Sequence, residues 1–419
     1  MKLALHWQIL IAILLAAMAG TFVEPDTTVA GIAVPAVFAF LGTLFMNALL
    51  MIIVPLIMAS IICGMASIGD AGHLGRMGGK TLAFYLLSSL LAILTGLLLV
   101  NVIHPGEAGL VAPVDDLALA ASVDKVAGKS SADIIEIFIR MVPPNIVEAA
   151  AEGQMLGLIF FSLLFGFFVT RLEAGQQQLL LGFWQGVQQV MLMMTMLIMK
   201  FAPLGVFGLV AKTLSETGLG LFASLLGFFV TVALALLVHM FINMAVLLKV
   251  AGISPWQHYR AMREALLTAF STASSAATLP LTLKAVEQGA GVSNSKAAFV
   301  LPLGATVNMD GTALYECVAA MFIAQVYGLE LTIATQFTIV VIALLTSIGV
   351  AGIPAASLVA IAIILTAVGL PLEGIGLLLV TDRLLDMMRT AVNVFGDSCA
   401  AVIIARSEGE NVYGSQGAG

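Results

Sequence analysis

Long apolar stretches separated by short polar connections dominate the chain. Stretches long enough to cross a bilayer as a helix, which takes about 20 residues, lie at about 5–23, 35–65, 79–103, 154–172, 179–212, 219–250 and 370–405. Those before residue 250 are continuous and carry few polar side chains. The pattern predicts an all-α polytopic membrane protein.

After residue 255, small and polar residues interrupt the apolar pattern twice. The first interruption, 271–280, is rich in Ser, Thr and Ala, and the second, 347–357, is rich in Gly, Ala and Ser. The apolar flanks of each are only about half a membrane thickness long. We expect two helical hairpins that enter the membrane and turn back, because irregular backbone at that depth must be buried in protein or line a cavity.

Each interruption is followed by a polar segment inside an apolar run, at 308–312 and at 382–397 respectively. Paired interrupted segments in corresponding halves indicate an inverted-repeat transporter with its site between the repeats. The alternative is two unrelated kinks in packed helices, where Gly and Ser are common.

The second polar segment carries charged and amide side chains at spacings of four, three, four and four residues: Asp382, Asp386, Arg389, Asn393 and Asp397. These spacings place all of them on one face of a helix. A charge at the centre of a bilayer costs about 3 kcal/mol or more. The stripe therefore predicts a polar site at membrane depth, where a charged solute or ions could bind.

The chemistry of this stripe fits an acidic amino acid. Arg389 matches a side-chain carboxylate with a fork of donors, and Asp386 can hold an ammonium group one turn away. Thr390 and Asn393 offer neutral hydrogen bonds, and backbone amides at the start of a half-helix at Ser275 suit an α-carboxylate. The alternative is an internal Asp386–Arg389 ion pair that locks the helix bundle.

A second group of residues fits a hard cation such as Na⁺. Asp310 and Asp397 lie near glycines and Asn308, where unwound backbone supplies carbonyl oxygens. A hydroxyl cluster in the third span, Tyr85, Ser88 and Ser89, could add oxygen ligands. The alternative for these hydroxyls is a bond to a neighbouring helix or to the carbonyl four residues earlier.

Composition and charge narrow the class further. The chain is 61% hydrophobic and 10% charged, which excludes an ordinary soluble domain. Cys63, Cys317 and Cys399 lack metal spacing, and no nucleophile–base pattern indicates an enzyme. Basic residues concentrate in alternate connections, so we expect a cytoplasmic N-terminus on an uncleaved first helix, with 104–135 external.

Four motifs in order give a specific resemblance over essentially the whole chain. They are Ser274-Ser275 with Thr278-Leu-Pro280, Asn308-Met-Asp-Gly-Thr312, Gly352-Ile-Pro354, and Asp386 with Arg389, Thr390, Asn393 and Asp397. Together they resemble the excitatory amino acid transporter family, which includes prokaryotic sodium- and proton-coupled glutamate and aspartate symporters. The resemblance implies eight transmembrane helices, two re-entrant hairpins, inverted repeats, a homotrimer and an elevator motion of a transport domain.

The resemblance also implies a division of the chain. Residues 1–250 form mainly scaffold and trimerisation helices, with the third span, 79–103, joining the transport domain. Residues 251–408 form the transport core, built of the segments hairpin 1 (255–289), broken helix 7 (294–328), hairpin 2 (332–368) and helix 8 (370–408). The expected location is the inner, plasma membrane as a multi-pass protein in the lipid bilayer.

Site residues follow from the same motifs. The resemblance implies substrate contacts at Ser275, Thr312, Gly352, Asp386, Arg389, Thr390 and Asn393. One Na⁺ site would use carbonyls of Gly304, Asn308 and Asn393 with Asp397. A second would use carbonyls of Thr306, Ser347, Ile348 and Val350, and a third Tyr85, Ser88, Ser89, Asn308 and Asp310.

The chain departs from the family pattern at several positions. Ala273 and Met387 are apolar where members carry an arginine at one or the other, and Ser357 stands where glycine is frequent. Glu316 stands where archaeal sodium-only members carry glutamine and proton-coupled animal members carry glutamate. Glu316 lies in an apolar setting, where a charged carboxylate is costly, so it is the expected proton carrier.

The resulting hypothesis is a symporter of glutamate or aspartate, coupled to Na⁺ and, through Glu316, to H⁺. A C4-dicarboxylate symporter of the same fold is the nearest alternative, although such substrates have no ammonium for Asp386. An ion channel is the alternative from a different class, and the arginine in the path argues against it. We expect no cofactor beyond Na⁺ as coupling ion, and no nucleic-acid partner.

Overall fold

The computed structural model describes residues 5–23, 27–29, 32–69, 75–107, 139, 141–152, 154–217, 221–349 and 356–414. The helices of the first part are α1 Leu5–Phe22, α2 Val34–Gly69, α3 Gly75–Ile103, α4 Ile146–Ala151, α5 Met155–Val169, α6 Ala174–Met199, α7 Ala202–Thr217, α8 Leu221–Val238 and α9 Met244–Val250. Those of the second part are α10 Pro255–Thr272, α11 Ser275–Lys284, α12 Asn294–Val307, α13 Asp310–Val326, α14 Ile333–Gly349, α15 Ala356–Val368 and α16 Ile375–Ser407.

Short irregular elements complete the described chain. π-helical turns lie at His239–Asn243 and Ala285–Gly289, and a 3₁₀ turn lies at Leu372–Gly374. The strands Thr28–Val29 and Ile32–Ala33 pair antiparallel in a small ribbon. Most of the other described residues are helical, which confirms the all-α prediction.

One predicted element is wrong in its bounds. The apolar run 179–212 is two helices, since α6 ends at Met199 and α7 begins at Ala202. Pro203 lies in the first turn of α7, where its missing N–H has no intrahelical partner to lose. The hydrophobicity of residues 179–212 did not predict this helix break, because a single proline and a short interruption leave the run apolar.

The helices of the first part pack closely through small residues. α2 lies against α5, α6 and α7, and α1 lies against α7. A Cβ atom on Gly208 would lie 2.6 Å from the carbonyl oxygen of Phe38 and 2.8 Å from the nitrogen of Gly42. Only glycine allows α2 and α7 to approach this closely, as is usual where membrane helices cross.

α13 forms the centre of the second part. Apart from Thr312 and Gln325, all its residues are buried. α13 contacts α3, α8, α14, α15 and α16. α16 packs against α10, α12 and α13, so Arg389, Asn393 and Asp397 of its polar stripe lie inside the bundle. Asp382 and Asp386 are partly exposed.

The interruptions predicted from the sequence fall at helix ends. α10 ends at Thr272, Ala273 adopts a left-handed conformation with φ of 49°, and the side chain of Ser274 caps α11. α12 ends at Val307, and Asn308 is extended before α13 begins. α14 and α15 flank residues 350–355, which include Val350 and Gly352 and lie outside the described residues.

Several helices are long and apolar enough to cross a membrane. Among the described residues these are Arg76–Ile103, Ala174–Ile198, Ser224–Val250 and Ile375–Ser407, accompanied by shorter apolar helices. Large apolar side chains such as Leu98, Phe183 and Val250 are exposed on their outer faces. The protein is therefore an integral membrane protein, with these faces towards lipid.

Candidate functional site

The charged end of the stripe on α16 is centred on Arg389, whose side chain is 2% exposed. Its Nη2 donates hydrogen bonds to Oδ1 of Asp382 at 3.1 Å and to Oδ1 of Asp386 at 3.0 Å. The guanidinium carbon lies 3.9 Å from the ring centroid of Tyr315, a cation–π contact with α13. The internal ion pair considered as an alternative thus exists, and Asp382 belongs to it as well.

The guanidinium is only partly satisfied by these contacts. Among the described residues, Nε and Nη1 of Arg389 are buried and have no hydrogen-bond partner. A buried donor without a partner costs about 1–3 kcal/mol, and more when it is charged. Each of these unpaired donor nitrogens could donate a charge-assisted hydrogen bond to a carboxylate oxygen.

Asp386 is the more accessible carboxylate of the pair. Its side chain is 38% exposed, against 20% for Asp382. Its second oxygen, Oδ2, lies 3.8 Å from Nη1 of Arg383, too long for a hydrogen bond. Asp386 therefore keeps an oxygen for a cationic group while Arg389 keeps nitrogens for an anionic one.

Thr390 and Asn393 are already engaged within the protein. The Thr390 hydroxyl donates to the backbone carbonyl of Asp386 at 2.8 Å. Asn393 accepts from the backbone N–H of Gly311 at 2.8 Å and donates to the hydroxyl of Thr312 at 3.2 Å. Through these two hydrogen bonds, Asn393 links α16 to the first turn of α13, which carries Gly311 and Thr312.

Ser275 stands apart from this group. It is the first residue of α11, which contacts α16, and the capping hydroxyl of Ser274 accepts from the N–H of Ala277 at 3.3 Å. No hydrogen bond among the described residues links the Ser275 side chain to Arg389. Gly352, the remaining expected substrate residue, lies outside the described residues.

A second polar cluster lies at the start of α13. Asp310 is fully buried, and its Oδ1 accepts hydrogen bonds from the hydroxyls of Ser88 at 3.0 Å and Ser89 at 2.8 Å. Asn308 donates to Oδ1 of Asp397 at 3.1 Å. The serine hydroxyls of α3 thus reach Asp310, and Asn308 reaches Asp397. The Tyr85 hydroxyl donates to the backbone carbonyl of Val300 at 2.8 Å.

Two glycines open this cluster. A Cβ atom on Gly304 would lie 2.7 Å from the Tyr85 hydroxyl and would collide with the Asp397 carboxylate. A Cβ atom on Gly396 would lie 2.7 Å from Oδ2 of Asp310. Two buried carboxylates with hydroxyl and amide oxygens around them form a donor set that fits a desolvated alkali cation.

Only part of the expected second Na⁺ site lies within the described residues. The hydroxyl of Ser347 donates to the carbonyl of Leu344 at 2.8 Å, so its side chain is used within α14. Thr306 lies near the end of α12, next to the break before α13, and Ile348 lies near the end of α14. Val350 lies outside the described residues.

His239 and Asn243 were missed by the sequence argument. His239 is fully buried, and its Nε2 lies 3.4 Å from Oδ2 of Asp310. Asn243 Nδ2 donates to the Thr95 hydroxyl at 2.8 Å and lies 3.1 Å from His239 Nδ1. Because an amide nitrogen faces Nδ1, we assign the imidazole proton to Nε2, where it points at Asp310.

The π-helical turn gives these residues their position. It spans His239–Asn243 within an otherwise apolar helix, and such turns are frequent at functional sites. The available signal was two polar residues four apart in the apolar run 219–250.

Glu316 lies one helical turn beyond Thr312 on α13. Its side chain is buried at 1% exposure, and Oε2 accepts a 2.8 Å hydrogen bond from the hydroxyl of Thr346 on α14. Among the described residues no other hydrogen bond to this carboxyl group is present.

Comparison with known proteins places these features in a family. The family model described as "Sodium:dicarboxylate symporter family" matches residues 5–407. The chain is 35% identical to the "Proton/sodium-glutamate symport protein" of Geobacillus stearothermophilus over 98% of this chain and 96% of that protein. It is 36% identical to the "Proton/glutamate-aspartate symporter" of Escherichia coli (strain K12), over 97% and 93%.

Relatives with a different named substrate are similar to it as well. The "C4-dicarboxylate transport protein" of Bacillus subtilis (strain 168) is 35% identical over 88% of this chain and 87% of that protein. The family model covers nearly the whole chain, and the three relatives match the chain over 87–96% of their own length. The chain belongs to the sodium:dicarboxylate symporter family.

Proposed function

We propose that the protein is a secondary active symporter that takes up glutamate or aspartate with Na⁺, and with H⁺ through Glu316. The observation that supports this most directly is Arg389, which is buried and has two donor nitrogens unpaired among the described residues, beside a partly exposed Asp386. A carboxylate on Arg389 and an ammonium on Asp386 would satisfy both groups at once. Relatives named for glutamate and glutamate–aspartate symport point the same way.

The ion site rests on the Asp310–Asp397 cluster. Its hydroxyls come from α3, its amide from Asn308 in the break between α12 and α13, and its carboxylates from α13 and α16. A Na⁺ ion there would offset the charge of buried carboxylates. The chain's own residues hold this arrangement, since Asn393 ties α13 to α16 and the serines tie α3 to α13.

The overall arrangement belongs to the same proposal. The protein would have eight transmembrane helices and two re-entrant hairpins, α10–α11 and α14–α15. The two hairpins would form a transport domain together with α3, α12, α13 and α16. That domain would move past the remaining helices in a homotrimer, in an elevator motion. The N-terminus would be cytoplasmic and the protein would lie in the inner membrane, as the charge bias suggests.

A C4-dicarboxylate substrate is the second candidate, since one similar relative carries that name. Asp386 argues against it. A dicarboxylate would add negative charge beside Asp382 and Asp386, and it has no ammonium group to offset that charge.

The test is uptake into proteoliposomes driven by an inward Na⁺ gradient. Radiolabelled aspartate would be competed with glutamate, succinate and alanine, with and without a pH gradient. The proposal expects accumulation that needs Na⁺ and is competed by glutamate but not by succinate. An Asp386→Asn variant should lose aspartate affinity. Competition by succinate as strong as that by glutamate would shift the assignment to dicarboxylates, and uptake independent of Na⁺ would reject the coupling.

A further inference from the structure

The outer face of α10 changes character along its length. Trp256, Arg260, Arg263, Leu267 and Phe270 follow at spacings of four, three, four and three residues, so they share one face. All of them are exposed, Trp256 at 71% and Leu267 at 68%. An aromatic and basic end followed by an apolar end is typical of a helix face that runs from the headgroup region into hydrocarbon.

An open cavity of about 360 Å³ lies next to this basic end, between α10 and the α11 segment that follows it. Its lining includes the small residues Ala261, Ala285 and Gly289. A Cβ atom on Gly289 would lie 3.1 Å from that of Ala261, so the two segments approach closely at that point. The small side chains leave the space that forms the cavity.

Basic side chains dominate the polar lining. Among the described residues, Arg260, Arg263 and Lys284 line the cavity together with one carboxylate, Glu264. Among the described residues, none of these cations forms an ion pair within 4.0 Å. Cations that the protein leaves unpaired around a concave surface attract an anion, and guanidinium groups match the geometry of a phosphate.

The cavity lies at the end of the bundle where other cations collect. The connection before α10 passes Gly252, where a Cβ atom would lie 3.1 Å from Nη2 of Arg406 at the end of α16. Arg76 and Lys80 at the start of α3 bind Glu408 just beyond α16. A cation-rich end faces the leaflet that is rich in anionic lipids.

We propose that this cavity binds the phosphate group of an anionic phospholipid. The phosphate would lie between Arg260, Arg263 and Lys284, and the acyl chains would follow the apolar part of the same face at Leu267 and Phe270. Trp256 would lie at headgroup level, as exposed tryptophans do in membrane proteins. The site is separate from the stripe on α16 and does not depend on the proposed substrate.

The test measures binding as thermal stabilisation of the purified protein in a neutral detergent. Short-chain dioctanoyl phosphatidylglycerol is titrated, with dioctanoyl phosphatidylcholine and inorganic phosphate as comparison ligands. We expect a saturable rise in Tm with phosphatidylglycerol only, since ligand that binds the folded state stabilises it. In an Arg260→Gln/Arg263→Gln variant the midpoint concentration should rise about tenfold or more.

Matched variants separate this site from general charge effects. Arg171→Gln/Lys200→Gln removes the same charge from exposed positions elsewhere and should leave the midpoint unchanged. Lys284→Gln keeps both arginines and provides a second test if the double variant does not fold. Equal phosphatidylglycerol midpoints in wild type and the cavity variants, or no stabilisation at all, would overturn the proposal. Stabilisation by inorganic phosphate at the same concentrations would assign the cavity to soluble phosphate and reject the lipid.

Discussion

The hydroxyl of Thr346 donates a 2.8 Å hydrogen bond to Oε2 of Glu316. It connects α14, next to the second interruption, with the centre of α13. A charged carboxylate with one neutral hydrogen bond in an apolar interior is costly. A neutral carboxyl group is satisfied more easily there, which is the condition that a proton carrier needs.

Glu316→Gln should therefore keep substrate and Na⁺ binding, because glutamine resembles the protonated acid in shape and can still accept the bond from Thr346. The same change should flatten the pH dependence of uptake and stop substrate-driven acidification of the vesicle lumen. Both are measured in proteoliposomes with a pH-sensitive dye. Glu264→Gln, which changes an exposed carboxylate without an ion pair in the described chain, is the control. Acidification at the wild-type ratio to substrate would show that the proton does not move through Glu316.

Arg389→Cys should abolish binding of acidic substrates. Removing the guanidinium leaves a substrate carboxylate without a partner and leaves Asp382 and Asp386 facing it, at a cost of about 2–4 kcal/mol, or about thirtyfold or more in affinity. Neutral amino acids such as serine should then bind, because Asp386 can still hold an ammonium group. Arg383→Gln removes a neighbouring, exposed cation and should have little effect. Aspartate affinity near wild type would make Arg389 a structural residue.

The sequence predicted the features that depend on helix periodicity alone. The five-residue stripe required only that 382–397 be helical, and α16 contains it in full. Helix periodicity does not determine which helices contact each other. His239 and Asp310 are 71 positions apart, and their contact depends on how α8 and α13 pack and on a π-helical turn that no residue pattern announces.

The hydroxyl cluster shows the same limit. For Ser88 and Ser89 alone, a bond to a neighbouring helix or to their own helix was the usual expectation, and only the family resemblance placed them in an ion site with Asp310. Arg389 was expected to face a substrate, yet its ion pair with Asp382 depends on rotamers, which spacing does not determine.

Asp397→Asn should weaken Na⁺ dependence much more than it alters substrate selectivity. Asparagine keeps the size and one oxygen, and it can still take part in a hydrogen bond with Asn308, but it removes the negative charge that offsets a desolvated cation. The measurement is substrate affinity as a function of Na⁺ concentration. An unchanged Na⁺ curve in folded protein would remove Asp397 from the ion site.

His239 should affect Na⁺ through Asp310 rather than by touching the ion. His239→Leu removes the donor to a buried carboxylate, a hydrogen bond worth about 1.5–3 kcal/mol, so Na⁺ affinity should fall about tenfold or more. His239→Gln retains an N–H donor and should recover much of the loss. A structural role alone would lower the Tm of both variants without separating their Na⁺ curves, and that outcome would contradict the prediction.

Glu408 provides a pH-dependent contact outside the membrane. Hydrogen bonds from Arg76, 2.8 Å from Nη2 to Oε2, and from Lys80 lower its pKa from 4.5 to about 2. Because the folded pKa lies below the unfolded one, the stabilisation is complete above about pH 4.5 and is lost as the pH falls towards 2. Glu408→Gln should therefore lower Tm at pH 7 and lose this difference from wild type near pH 2. High salt should reduce the difference at pH 7, since the pair is partly exposed.

Glu264→Gln, which removes an exposed carboxylate without an ion pair in the described chain, should give no such pH-dependent difference. A Glu408→Gln deficit of the same size at pH 7 and pH 2 would mean that packing of the side chain, rather than its charge, is what stabilises the end of α16.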